Sequence, residues 1–438
     1  MVHVHVNPAR AMGPADRTDR TPAGFAFALG CLAWVFLASP RLPDVRLEGS
    51  VGLLALMAGV PFWFLASAAR RHGFFGYNTI MIVVTLVAAI IFLSFWSLLS
   101  SLSANAPLRA GRTFMGVASG AAILLLVHGT LTERRALFMI GLIVGMLALG
   151  AIASAVSGLN PALHDFFYLG TDRAHGFFKN PNQFGMILAT FLPITLALVM
   201  ARKRAWLWIL ASVAIFAGLV LAGSKSNLLL ASSTTLAFLL IHSFVTYTGA
   251  TRFAVAAMLL AVGIGIIGAA IAGLAIFNPR ALALLDLFLT DASSIPSLNS
   301  RGLLWRDSVS IFIDNPMTGQ GAGQPLEVWL DGQTISHSHN VFLEFGRTMG
   351  MPGLAGIVAI YAAAIFLFLR SIYAALVLTS VHPGRRNLCV GLALGGLSYL
   401  FANLASDSFG PSTSPFFWLV VFLCAAFSSE VYLEAEAT

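Results

Sequence analysis

The hexapeptide Ile335-Ser336-His337-Ser338-His339-Asn340 gathers two imidazoles, two hydroxyls and an amide within a 438-residue chain. An imidazole titrates near neutral pH, so His339 could take a proton from an attacking hydroxyl. Asn340 stands at an N-cap position ahead of Val341–Met349, a short helix that would carry His339 at its entrance. A plainer reading competes with the base: a histidine that only hydrogen-bonds or caps its own loop. The pattern alone does not separate the two. His337 and His339 also share one side of an extended chain, which opens a metal reading. A catalytic zinc usually takes three protein ligands; no third is marked here, and the expectation is no metal.

A second set of groups is cationic: Arg173, Lys179, Lys225, Arg301 and Arg306. Lys225 falls in Leu221-Ala222-Gly223-Ser224-Lys225-Ser226-Asn227, a short break between two long apolar runs. A cation so near hydrocarbon is costly unless it snorkels to headgroups or meets an anion. Arg holds a phosphate bidentately and Lys as a point charge, so a diphosphate is one such anion. Arg306, beside Asp307, reads as a solvated charge on an outer helix, and Arg301 is open to that reading too. Asn180-Pro181-Asn182 reads as a helix start, with Asn180 capping and Pro181 in the first turn; contact of Asn182 with substrate is the alternative. Gly319-Gln320-Gly321-Ala322-Gly323 follows an Asn315-Pro316 helix stop rather than a strand, which argues against a nucleotide loop.

These groups must be positioned by elements suited to lipid. Hydrophobic residues make up 58% of the chain and charged residues 10%, against about 25% charged in a soluble domain. Thr79–Leu99, Ala136–Val156 and Phe253–Ile276 contain no charge. Each is long enough to cross ~30 Å of hydrocarbon as a helix. The expected fold is therefore all-α and polytopic, with about twelve spans near 23–39, 51–68, 79–99, 113–130, 136–156, 184–200, 205–222, 227–246, 253–276, 352–369, 388–404 and 415–429. Cys31, Cys389 and Cys424 all lie in apolar runs and read as core residues.

The division that follows is a tail over 1–22, nine spans over 23–276, a large loop over 277–351, three spans over 352–429 and a tail over 430–438. Within the loop, Ser300–Asn315 has helical spacing. The net charge of +7 does not point to nucleic acid, because the basic residues sit in short turns, where they orient helices. With the N-terminus inside, the inner turns and tail carry Arg10, Arg17, Arg20, Arg70, Arg71, Arg134, Arg135, Arg202, Lys203, Arg204, Arg252, Arg370, Arg385 and Arg386. The short outer loops carry only Arg41, Arg46, Arg109, Arg112 and Lys225. Both termini are thus expected in the cytoplasm, and both the histidines and the cations listed first on the outer face.

At these residues the chain resembles the O-antigen ligase family of membrane glycosyltransferases, which also includes polysaccharide polymerases. His339-Asn340, nine residues, Gly350, two residues and Gly353 are similar to its signature. So are Arg301-Gly-Leu-Leu-Trp305, Asn315-Pro316-Met317-Thr318-Gly319-Gln320-Gly321, Arg173–Asn182 and Ser224-Lys225-Ser226, where the family commonly has Arg at the position of Lys225. The resemblance implies a donor glycan on undecaprenyl diphosphate, a lipid or glycan acceptor, surrounding membrane lipids, and neither cofactor nor metal. It further implies His339 as the base and Arg301, Lys225 and Arg173 as diphosphate ligands, with His337, Asn340, Lys179 and Asn182 as secondary candidates. A polymerase using the same chemistry is the alternative within the family. A transporter, the alternative of another class, would call for paired broken helices and mid-membrane carboxylates; neither is evident in the sequence.

Overall fold

The computed structural model describes residues 77–102, 107–130, 132–160, 164, 166–168, 173–178, 180–201, 205–277, 296–330, 333–335, 337–406, 409–410 and 412–437. The expected spans at 23–39 and 51–68, Cys31 and Lys179 lie outside them. The long helices are α1 (Tyr77–Ser101), α2 (Pro107–Thr130), α3 (Glu133–Gly158), α4 (Pro181–Ala201), α5 (Ala205–Ala222), α6 (Lys225–Thr246), α7 (Thr251–Phe277), α8 (Pro296–Asp314), α9 (Val341–Val377), α10 (Pro383–Ala402) and α11 (Ser414–Ala437). Among the described residues the strands are a hairpin of three-residue strands, β1 (Val328–Leu330) and β2 (Gln333–Ile335), pairing Val328 with Ile335.

Each of the ten expected spans that falls on described residues coincides with a helix. Nine helices among the described residues are long and apolar enough to cross a membrane. The tenth, α10, falls short of them because Arg385, Arg386 and Asn387 occupy its start; it nonetheless packs against α4, α6, α9 and α11 at the centre of the bundle. Small residues permit that approach, as between membrane helices generally: a Cβ added at Gly391 would lie 2.7 Å from the Ala197 Cβ. Cys389 and Cys424 are buried free thiols.

The contacts also fix which helix ends lie together. Val341 at the start of α9 donates to the Asn403 carbonyl just past α10, and Asn403 reaches the Met186 sulfur near the start of α4. Asn227 in the first turn of α6 donates to the Asn182 carbonyl in the first turn of α4. The N-termini of α4, α6 and α9 therefore share one end of the bundle. At the opposite end Arg385 bridges Glu133 and Glu434. There the buried Arg386 donates to the carbonyls of Ala375 and Val245, in the last turns of α9 and α6, where the helix dipole favours a cation.

The tenth expected span differs in detail. Helix runs from Val341 to Val377 with a single break at Gly350, whose φ of 66° and ψ of −162° are not helical. Only glycine adopts that conformation readily. The break divides the predicted short helix Val341–Met349 from the long span after it. It also opens a seat for the turn that follows α8: the Met351 amide donates to Pro316 O at 2.7 Å, and Gln320 and Gly321 amides donate to Arg347 O and Thr348 O. A Cβ on Gly350 would lie 2.5 Å from the Met317 carbonyl carbon. Gly350→Ala is expected to lower stability by at least about 1–3 kcal/mol from backbone strain alone, read as a fall in Tm of the detergent-solubilised protein.

Candidate functional site

The segment before α9 is built by capping. The Asn340 side chain accepts from the amides of Phe342 at 3.0 Å and Leu343 at 3.2 Å. Its own amide group donates to Leu404 O at 3.1 Å, tying the loop to the end of α10. Asn340 is thus a cap, as its position in the sequence predicts. His339, one residue earlier, takes a φ of 51°, a left-handed value uncommon for a residue with a side chain. Its ring lies against His337, centroids 4.1 Å apart and planes tilted by 55°.

Behind this loop sits a buried ion pair that the sequence reading did not single out. Arg347 has no solvent exposure, and its Nη2 lies 2.6 Å from Glu344 Oε1. The same guanidinium donates to the Ser338 hydroxyl, to Gln320 Oε1 and to Gln324 O. Glu344 Oε2 accepts from both the Ser338 amide and the Ser338 hydroxyl at 2.9 Å. Ser338 in turn meets the Ser308 hydroxyl of α8 at 2.8 Å. The signal in the sequence is an acid and a base three apart in an otherwise apolar run, a helical ion-pair spacing.

Arg301 lies on α8, half-buried, and its charge acts on the His339 ring. Burial, together with the charges of His337 and Arg301, holds His339 down at about 4. His339 is therefore neutral at physiological pH and carries a free base lone pair. Burial also lowers the pKa of Arg301, but a guanidinium remains charged in a protein. Arg306 on the same helix is exposed, in keeping with a solvated charge. Among the described residues no group of three potential metal ligands converges.

Arg173 and Lys225 form a second group. Arg173 donates from Nε to Ala222 O at 2.9 Å and from Nη2 to Asn182 Oδ1 at 2.6 Å. It thereby clasps the break between α5 and α6 to the start of α4. Gly223, at φ 58°, carries the chain past the Arg173 side chain. Lys225 is exposed at the head of α6, within electrostatic reach of Arg173. Asn180 caps α4 through the Asn182 amide at 2.7 Å, so Asn182 both serves the helix start and holds Arg173.

Two groups of predicted site residues thus stand at one end of the bundle: His337, His339 and Arg301 in one, Arg173, Lys225 and Asn182 in the other. The N-termini of α4, α6 and α9 add their partial positive charges there, which favours an anion. The arrangement offers a neutral base within the field of cations.

Residues 210–358, from within α5 to within α9, match the family described as O-Antigen ligase, which bears out the resemblance read from the motifs and supports a membrane glycan ligase-type function. No curated protein matches the chain. The ion pair behind the loop carries its own expectation. Glu344→Ala strands a buried guanidinium and is expected to cost about 3–5 kcal/mol, whereas replacing Glu344 and Arg347 together by Gln costs less. Thermal unfolding of both variants in detergent measures the difference.

Proposed function

We propose, from the O-antigen ligase match over residues 210–358, that the protein transfers a glycan from undecaprenyl diphosphate to an acceptor hydroxyl. The reaction takes place at the periplasmic face of a bacterial inner membrane, with both termini in the cytoplasm. His339 removes the proton of the acceptor hydroxyl as its oxygen attacks the anomeric carbon, and the diphosphate leaves with the bonding electron pair. Arg301, Lys225 and Arg173 hold that diphosphate, and no metal is needed.

The observation that carries this reading is the placement of a neutral His339 within the field of Arg301. A base surrounded by positive charge gains no help in accepting a proton until an anion arrives. A bound diphosphate would supply that anion, offsetting Arg301 and His337 and making the imidazolium tolerable. Negative charge grows on the leaving group as the glycosidic bond breaks, so fixed cations and helix N-termini stabilise the transition state more than the ground state. Lys225 gives a point-charge contact where a bidentate one is common in the family. The orientation is supported by the basic residues Arg134, Arg135, Arg370, Arg385 and Arg386, which belong to the helix ends opposite His339.

Loss of the base in His339→Ala is expected to lower kcat by roughly 10²–10⁴-fold in a transfer assay with lipid-diphosphate-linked oligosaccharide. Arg301→Ala is expected to lose roughly 10²–10³-fold, and Arg301→Lys to recover only part of it. Because His339 must be unprotonated to act, kcat/KM is expected to rise with pH through about 4 and to be flat at neutral pH. The rise in kcat, which reports the donor complex, is expected at higher pH. Full activity of His339→Ala would overturn the assignment of the base.

A further inference from the structure

Arg347 cannot be a ligand of the diphosphate, although it stands eight residues after His339 on the same end of the bundle. Its side chain is wholly enclosed, and its guanidinium is turned toward Glu344, Ser338, Gln320 and Gln324. Those partners come from three separate stretches: the His337–Asn340 loop, the first turns of α9, and the turn after α8. Ser338 extends the connection to α8 itself through Ser308. Arg301 and His339 are therefore carried by one hydrogen-bonded unit whose centre is the Glu344–Arg347 pair.

The backbone of His339 makes the role of that unit specific. A φ of 51° at a residue with a side chain costs free energy and persists only where the surroundings fix both flanks. On one flank Ser338 is held through both its amide and its hydroxyl by Glu344 Oε2. On the other, Asn340 is held by the α9 amides and by Leu404 O. Freed of either clamp, the residue between would relax to negative φ and turn its ring elsewhere.

We infer that Glu344 and Arg347, acting through Ser338, are positioning residues that hold His339 in its left-handed conformation against His337. The inference rests on the proposed transfer reaction for its kinetic consequence, but its structural content is independent of the substrate. Neither residue touches the reacting atoms. Their effect is on where the imidazole points and on the field it experiences.

The test uses the full chain in detergent, with Ser338→Ala, Ser338→Thr and the charge-neutral pair Glu344→Gln/Arg347→Gln. Ser338→Ala removes one hydroxyl and keeps the ion pair, so it remains informative if the double variant does not fold. Carbethoxylation of His339 by diethyl pyrocarbonate, located by mass spectrometry of its peptide, is followed against pH without any glycan present. In Ser338→Ala and the double variant, the midpoint of this modification is expected to move up toward the ordinary imidazole range. Their kcat is expected to fall roughly 100-fold with the donor KM little changed, and Ser338→Thr is expected to restore both. An unchanged midpoint and kcat in folded Ser338→Ala and double variants would overturn the inference. A moved midpoint in a protein whose wild type transfers no glycan would leave the positioning intact and remove the transfer reading instead.

Discussion

A guanidinium shut away from water must find its compensation inside the protein, and Arg347 finds it in Glu344 and three further acceptors. Burying an ion pair seldom adds net stability, because desolvation of both charges offsets their attraction. Its value here is geometric. Five donors in a fixed plane accept few arrangements, so the groups that satisfy Arg347 have little freedom relative to one another. Those groups are the turn after α8, the first turns of α9 and the loop that carries His339. The spacing of Asn315-Pro316 and the glycines that follow is explained by the same junction. Gly319 packs its α-carbon against the backbone of Arg347–Met349, and Gly350 does so against Pro316 and Met317, where any side chain would collide with main-chain atoms.

Electrostatically the bundle is divided by purpose. At one end, basic side chains are neutralised: Arg385 lies between two glutamates, and Arg386 is held by the carbonyls that close α6 and α9. At the other, Arg173 donates to an amide oxygen and a backbone carbonyl, while Arg301 sits half-buried and its charge acts on the His339 ring. Three helix N-termini at that end add their partial positive charge to these cations, which favours an anion. Under the proposed transfer that asymmetry has a use, since the charge to be stabilised would arrive with the diphosphate donor and grow during reaction.

The histidine loop joins these two features. Its strained residue is clamped by hydrogen bonds on each side, and the imidazole is kept neutral first by its burial and then by the charges of His337 and Arg301. Conformational strain and unfavourable electrostatics for the protonated ring are both tolerable only because the surrounding unit is rigid.

Much of this was legible in the sequence, for a definite reason. Uncharged runs of span length have few options in lipid other than helix, so the spans on described residues fall where the hydropathy places them. Local signals also held: Asn340 caps α9, Asn180 caps α4, and Asn315-Pro316 ends α8, since capping and the proline effect act within a turn of chain. The motifs from Arg173 to Gly353, taken together, carried the resemblance to the family whose model matches residues 210–358. What remained for the tertiary structure was everything that depends on which distant residues meet. Nothing local shows that Arg347 is enclosed while Arg306 is exposed, that Asn182 holds Arg173, or that His339 has a positive φ between two clamps. Burial and pairing are properties of the packed bundle, set by atoms far apart in the chain. A one-dimensional pattern therefore indicates which groups could act, and only the packed bundle decides which are turned toward the site.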